Sequence, residues 1–174
     1  LSSASKLQLA LSWHMGGKGI ELMTIPPAPM KDEWKIEKIS DFSQDEALSS
    51  GDIDGDGRLD LLLGTVWLRN TPVGWTRFTI DPSRTNPDRN RLADINRDGK
   101  LDAVVGFEAI SKTGEVIWYE QGPIATQPWI PHLIGTVIGP MSLDVADFDG
   151  DGDLDVVVGE HNLDTDLPVN PAKP

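Results

Sequence analysis

The chain has 174 residues, a formal net charge of −13 and a pI of about 4.4. That acidity repels phosphate backbones and anionic headgroups, so neither nucleic acid nor membrane insertion is expected. Without cysteine there is no disulfide or thiolate chemistry, and no apolar run has the length of a transmembrane helix. Residues 1–15 lack the basic start and apolar stretch of a signal peptide.

In chain order, three short apolar segments come first, at Leu7–Trp13, Gly19–Ile25 and Trp34–Ser40. Each is bounded by Gly, Pro or charged residues and reads as a strand. A predicted strand at Ala47–Gly51 then leads into the acidic loop Asp52–Asp60. After it come the apolar run Leu61–Gly64, a Trp strand at Val66–Asn70 and a strand from Trp75 to Ile80. The same order recurs. Strand Arg91–Asp94, loop Asp94–Asp102, run Ala103–Gly106, Trp strand Val116–Glu120 and strand Trp129–Ile134 form the next unit. Strand Ser142–Ala146, loop Asp147–Asp155 and run Val156–Gly159 begin another. The loops start 42 and 53 residues apart.

Four short strands every 40–50 residues or so mark a β-propeller blade. The expected fold is therefore all-β, a propeller segment of about three four-stranded blades with an acidic loop between strands one and two. Residues 1–46 read as a partial blade without the loop, 47–88 and 89–140 as complete units, and 141–174 as a partial blade with a tail. Propellers close with at least four blades. The chain is expected either to continue into further blades or to share a ring with other protomers. A self-contained sandwich is the alternative.

The loops have the pattern of an oxygen cage. In the first, Asp52, Asp54, Asp56 and Asp60 stand at positions 1, 3, 5 and 9, and Arg58 at position 7 offers its backbone carbonyl. The second offers Asp94, Asn96, Asp98, Lys100 and Asp102, and the third Asp147, Asp149, Asp151, Asp153 and Asp155. Calcium takes about six to eight oxygen ligands in a flexible shell, whereas zinc favours the His and Cys that these loops lack. Up to three calcium ions are expected. The third loop has the most charge and should bind best; the second, with Asn96, should bind least. Twelve of the 28 acidic residues lie in the loops, and three divalent cations would move the formal charge from −13 to −7. An EF-hand does not fit, because position 12 is Leu63, Val105 or Val158 and the flanks read as strands. The apolar residue at position 8, Leu59, Leu101 or Leu154, is expected to anchor each loop in the core.

The pattern Asp-x-Asp-Gly-Asp-Gly-x-x-Asp, followed by an apolar triplet and Gly, resembles the FG-GAP or VCBS-type repeat. Asp52–Gly64 and Asp147–Gly159 match it closely, and Asp94–Gly106 matches with Asn96 substituted. Trp118-Tyr119-Glu120 resembles bacterial members, while the Phe-Gly and Gly-Ala-Pro signatures of integrin α-chains are not evident. The resemblance implies a calcium-bearing propeller in a secreted, extracellular or periplasmic setting. It also implies roles in adhesion, glycan recognition or attachment to larger enzymes.

Outside the loops, Trp13, His14, His161 with Glu160 and Asp164, and the Arg89-Asn90-Arg91 pair of cations are the irregular polar or aromatic features. Arg89 and Arg91 are expected to pair with Asp88 and Asp94. Trp34, Trp67, Trp75, Trp118 and Trp129 fall at repeat positions and are expected to pack between blades. No Ser-His-Asp order, phosphate-binding Gly loop or His-rich metal site is present. The expected function is a non-catalytic module that binds a carbohydrate or protein surface. A secreted polysaccharide lyase or hydrolase, or a purely structural spacer, is the alternative.

Overall fold

The computed structural model describes residues 7–13, 17–44, 47–107, 109 and 111–163. Thirteen strands and no helix occur among them. The first sheet joins β1 (Gln8–Ser12), β2 (Ile20–Thr24) and β3 (Lys35–Ser40) in that order. The second joins β4 (Ser49–Gly51), β5 (Asp60–Leu62), β6 (Val66–Thr71) and β7 (Gly74–Thr79). The third joins β8 (Pro87–Ala93), β9 (Asp102–Phe107), β10 (Thr113–Glu120) and β11 (Ile130–Ile138), and the fourth joins β12 (Pro140–Ala146) to β13 (Asp155–Glu160). All pairings are antiparallel between consecutive strands.

Every strand expected from the sequence is present, and three of them run three or four residues further than expected. β8 begins at Pro87 rather than Arg91, because a register shift between Pro87 and Arg89 lets the chain pair on beyond the bulge. β10 and β11 run on to Thr113 and Ile138 past a similar shift at Val116/Ile117. Extra residues at bulges are invisible to a simple alternation rule.

In the second and third sheets the apolar triplets lie on a strand two that is buried on both faces, which suits continuous rather than alternating hydrophobic runs. Leu61, Leu63 and Leu68 pack on the first sheet, against Ile20, Ile39 and Phe42. Leu62 and Trp67 face the other way, into a cluster with Ala103, Val105, Ile117, Tyr119 and Trp129 of the third sheet. Val104 and Val116 in turn meet Leu143, Val145, Val156 and Val158 of the fourth.

The glycines that close the first two triplets have a packing reason. A Cβ on Gly64 would lie 2.5 Å from Pro87 Cβ, and one on Gly106 would lie 2.9 Å from the Pro140 carbonyl oxygen. Each glycine thus lets the first strand of the next sheet cross closely. First strands lie side by side, β4 against β8 and β8 against β12. Ser49 Oγ donates to Asn90 O at 3.0 Å, and Arg91 Nε lies 2.9 Å from Asp144 Oδ1.

Candidate metal centres

Each acidic loop joins strand one to strand two of a sheet and is folded by its own carboxylates. Position 1 closes the turn. Asp52 accepts the N–H groups of Asp56 (2.9 Å) and Gly57 (2.8 Å), and Asp94 those of Asp98 (3.0 Å) and Gly99 (2.9 Å). Asp147 accepts those of Gly150 (2.7 Å) and Gly152 (3.0 Å). Position 5 accepts from position 7: Asp56 from Arg58, Asp98 from Lys100, Asp151 from Asp153. Positions 4 and 6 need left-handed backbone. Gly55 (φ 73°) and Gly150 (φ 80°) supply it freely at position 4, whereas Arg97 adopts φ 60° in the second loop, a conformation costing an L-residue about 1–2 kcal/mol.

The carboxylate at position 9 fastens the loop to the sheet. Asp60 accepts from Ile53 N (3.0 Å) and from Asn70 N on β6 (2.8 Å). Asp102 repeats this with Ile95 N (3.3 Å) and Gln121 N (2.8 Å). Asp155 accepts from Phe148 N at 2.9 Å. Burial raises the pKa of Asp60 and Asp102 despite these N–H donors, and the neighbouring charges of Asp54 and Asp56 add to it at Asp60.

Ligand oxygens of Asp52, Asp54 and Asp60 lie within 4.8 Å of one another, as do those of Asp147, Asp149 and Asp151. These two clusters can hold a metal ion. The second loop brings no third acidic residue into such a group, consistent with Asn96 at its position 3; Asn96 Oδ1 instead accepts Asp98 N at 3.1 Å. A hard cation fits the first loop. Asp54 is only 10% exposed, and its Oδ1 is buried without a hydrogen-bond partner, an uncompensated acceptor that a cation would satisfy. All side-chain donors are oxygens, which suits calcium or magnesium over zinc.

Cations of the chain itself already crowd the loops. Arg69 Nε lies 2.5 Å from Asp54 Oδ2 and its Nη2 lies 3.2 Å from Asp56 Oδ2, and Arg58 also pairs with Asp56. Lys100 Nζ lies 2.6 Å from Asp98 Oδ2; that contact lowers the Asp98 pKa and raises that of Lys100. Arg97 crosses to the third loop, where it donates to Gly152 O and lies 2.5 Å from Asp153 Oδ1. The first two loops flank a cleft of about 430 Å³ lined by Asp52, Asp54, Lys100, Leu101, Gln121 and Ile124. Gln121 bridges them: its Nε2 donates to Ile53 O and Leu101 O, both at 2.9 Å. Arg69 and Gln121 escaped the sequence reading because both lie on or just past strand three, outside the loop motif.

The anchoring residue differs from expectation. Leu59 at position 8 is 63% exposed, and in the first loop Ile53 at position 2 is buried instead. Position 8 points toward the preceding sheet. Leu101 fills the space left by Gly51 of the second sheet, while no first strand stands before Leu59 among the described residues.

The remaining candidates are dispersed. Arg89 pairs with Asp88, but Arg91 pairs with Asp144 rather than Asp94. His161 sits at the end of β13, its N–H donating to Ile138 O at 3.0 Å, and Glu160 accepts Ile138 N at 3.3 Å. Trp13 is 50% exposed, while His14 and Asp164 lie outside the described residues. Trp67 and Trp129 are buried, and Trp75 packs against the cluster between the first two sheets.

No curated protein matches the chain. Residues 94–158 match the family model of the FG-GAP-like repeat. The match runs from the first aspartate of the second loop through β9 to β12 and the third loop into β13, and it identifies this stretch as similar to an FG-GAP-like repeat.

Proposed function

We propose that the chain is a calcium-stabilised β-propeller segment of about three blades that acts outside the cytoplasm as a non-catalytic binding module. Its units are 1–46, 47–88, 89–140 and 141–174. Its ions are held by Asp52, Asp54, Asp56, the Arg58 carbonyl and Asp60, and by the matching residues of the other two loops. Its ligand is a carbohydrate or protein surface, and further blades or protomers complete the ring. The observation that carries this reading is the Asp54 carboxylate, buried with one oxygen unsatisfied inside a loop that recurs in sequence. The side-by-side first strands and the FG-GAP-like match support the propeller. Extracellular calcium modules work with dissociation constants of about 10⁻⁴–10⁻³ M, a range in which secreted proteins remain loaded. Among the described residues no helix is long and apolar enough to cross a membrane.

Calorimetric titration of the chelated protein tests the metal. Calcium should bind at up to three sites and magnesium more weakly, and saturation to 100 times the dissociation constant should add about 2.7 kcal/mol of stability. An unchanged melting curve in excess EDTA would refute the stabilising role. A glycan array run beside a turnover assay on acidic polysaccharides tests the module: binding without turnover supports it, and turnover would make the chain a lyase or hydrolase.

A further inference from the structure

We propose that Arg69, on strand three of the second sheet, is a positioning residue for the first loop: it holds Asp54 so that one carboxylate oxygen faces the cation. This role rests on the metal reading above and adds to it a side chain that the loop motif does not contain.

The two four-stranded sheets carry the same arrangement. Leu62 pairs with Trp67 and Val104 with Trp118, so these two tryptophans are equivalent. Two and three residues on, Arg69 and Asn70 correspond to Glu120 and Gln121. The later residue frames the end of each loop. Asn70 and Gln121 donate their backbone N–H to Asp60 and Asp102, both at 2.8 Å. Their side-chain amides donate to Leu59 O at 3.3 Å and to Leu101 O at 2.9 Å. The earlier residue reaches position 3 of the loop. Arg69 Nε lies 2.5 Å from Asp54 Oδ2, and Glu120 Oε1 accepts Asn96 Nδ2 at 3.4 Å. Both partners change between the sheets and the chemistry stays matched, a guanidinium facing the acid and a carboxylate facing the amide. The contact is therefore a property of the repeat, not of one ion pair.

Within the first loop the two oxygens of Asp54 have different surroundings. Arg69 takes Oδ2, while Oδ1 is buried without a hydrogen-bond partner. Asp54 joins Asp52 and Asp60 in the group whose ligand oxygens lie within 4.8 Å of one another. Nη2 of the same guanidinium lies 3.2 Å from Asp56 Oδ2. The planar fork thus spans positions 3 and 5 and fixes one against the other. A carboxylate gripped at one oxygen offers the other in a set direction, and outer partners of this kind are worth about 10–100-fold in metal affinity.

Charge and positioning act with opposite sign. As a bare positive charge Arg69 would repel a cation, and its removal would tighten binding. As a positioning residue its removal loosens binding.

The test is calcium titration of the full chain as wild type, Arg69→Met and Arg69→Lys. Amide NMR reads the first loop at Gly57, with Gly99 and Gly152 reporting the other two. We expect Arg69→Met to raise the dissociation constant at Gly57 by about tenfold or more. Arg69→Lys, which keeps the charge without the fork, should fall between Arg69→Met and wild type. Calcium-free spectra unchanged at Gly99 and Gly152 show that the variants are folded. Unchanged or tighter binding at Gly57 in Arg69→Met overturns the proposal. So does wild-type affinity in Arg69→Lys, because charge alone would then suffice. Calcium that leaves Gly57 unmoved in the wild type removes the metal reading of the first loop and this role with it, an outcome visible before any substitution is made.

Discussion

Asp81 shows how one side chain can stitch two sheets. It accepts hydrogen bonds from Ser83 N (2.7 Å), Ser83 Oγ (2.6 Å) and the Tyr119 hydroxyl (2.7 Å), and Arg84 Nη1 lies 3.0 Å away. Burial alone would raise its pKa, but these donors outweigh burial and hold it at about 2, while the same burial and the Asp81 charge push the Tyr119 hydroxyl up. An ordinary Asp in the unfolded chain titrates near 3.8. The unfolded state therefore takes up the proton first, and the stability Asp81 contributes is complete above 3.8 and lost as pH falls through about 2. Asp81→Asn should cost about 1–3 kcal/mol at neutral pH and flatten the acid limb of a melting-temperature profile. Among loop residues, Asn96→Asp restores the missing carboxylate. It should tighten calcium binding at the second loop about tenfold, or about 1.4 kcal/mol, by titration calorimetry. A gain no larger than in an Asn96→Gln control would remove Asn96 as the weak point.

At the level of elements, exposure depends on where a repeat position sits in the stack. Leu62, Val104 and Val157 are equivalent, yet the first two are fully buried and Val157 is 52% exposed, because no sheet follows the fourth among the described residues. Trp67→Ala should cost about 3–5 kcal/mol in urea unfolding, and Trp118→Ala less than half as much. Equal losses would mean that the Trp118 face is covered in solution. The same dependence sets how much the sequence reveals. The strands and loops were legible because triplets such as Leu61-Leu62-Leu63 and the spaced aspartates carry local periodicity. The fate of Leu59 was not, since its burial depends on a neighbouring sheet rather than on its own loop. Arg69, Gln121 and the Arg91–Asp144 pair were hidden for a related reason: each joins residues distant in sequence, and pairing distance is written in register, which bulges at Pro87 and Val116 shift.

For the whole molecule, charge and architecture combine. Without bound cations the chain has its formal −13, and clustered carboxylates repel one another over a Debye length of about 10 Å at 0.1 M salt. In chelator, the melting temperature should climb as sodium chloride rises from about 0.01 to 1 M; in calcium it should change little. Parallel salt curves with and without calcium would show that the loops are not the main seat of repulsion. Finally, Gln121 ties the first loop to the second, and Arg97 ties the second to the third. The rim of the stack is thus a continuous strap running across the strands, separate from the apolar contacts between sheets. Pulled apart sheet from sheet, the molecule would load that strap first. Filling the loops with ions would make the rim stiff, and stripping them would leave it slack. A chain anchored among moving surfaces would then change its compliance with the calcium around it.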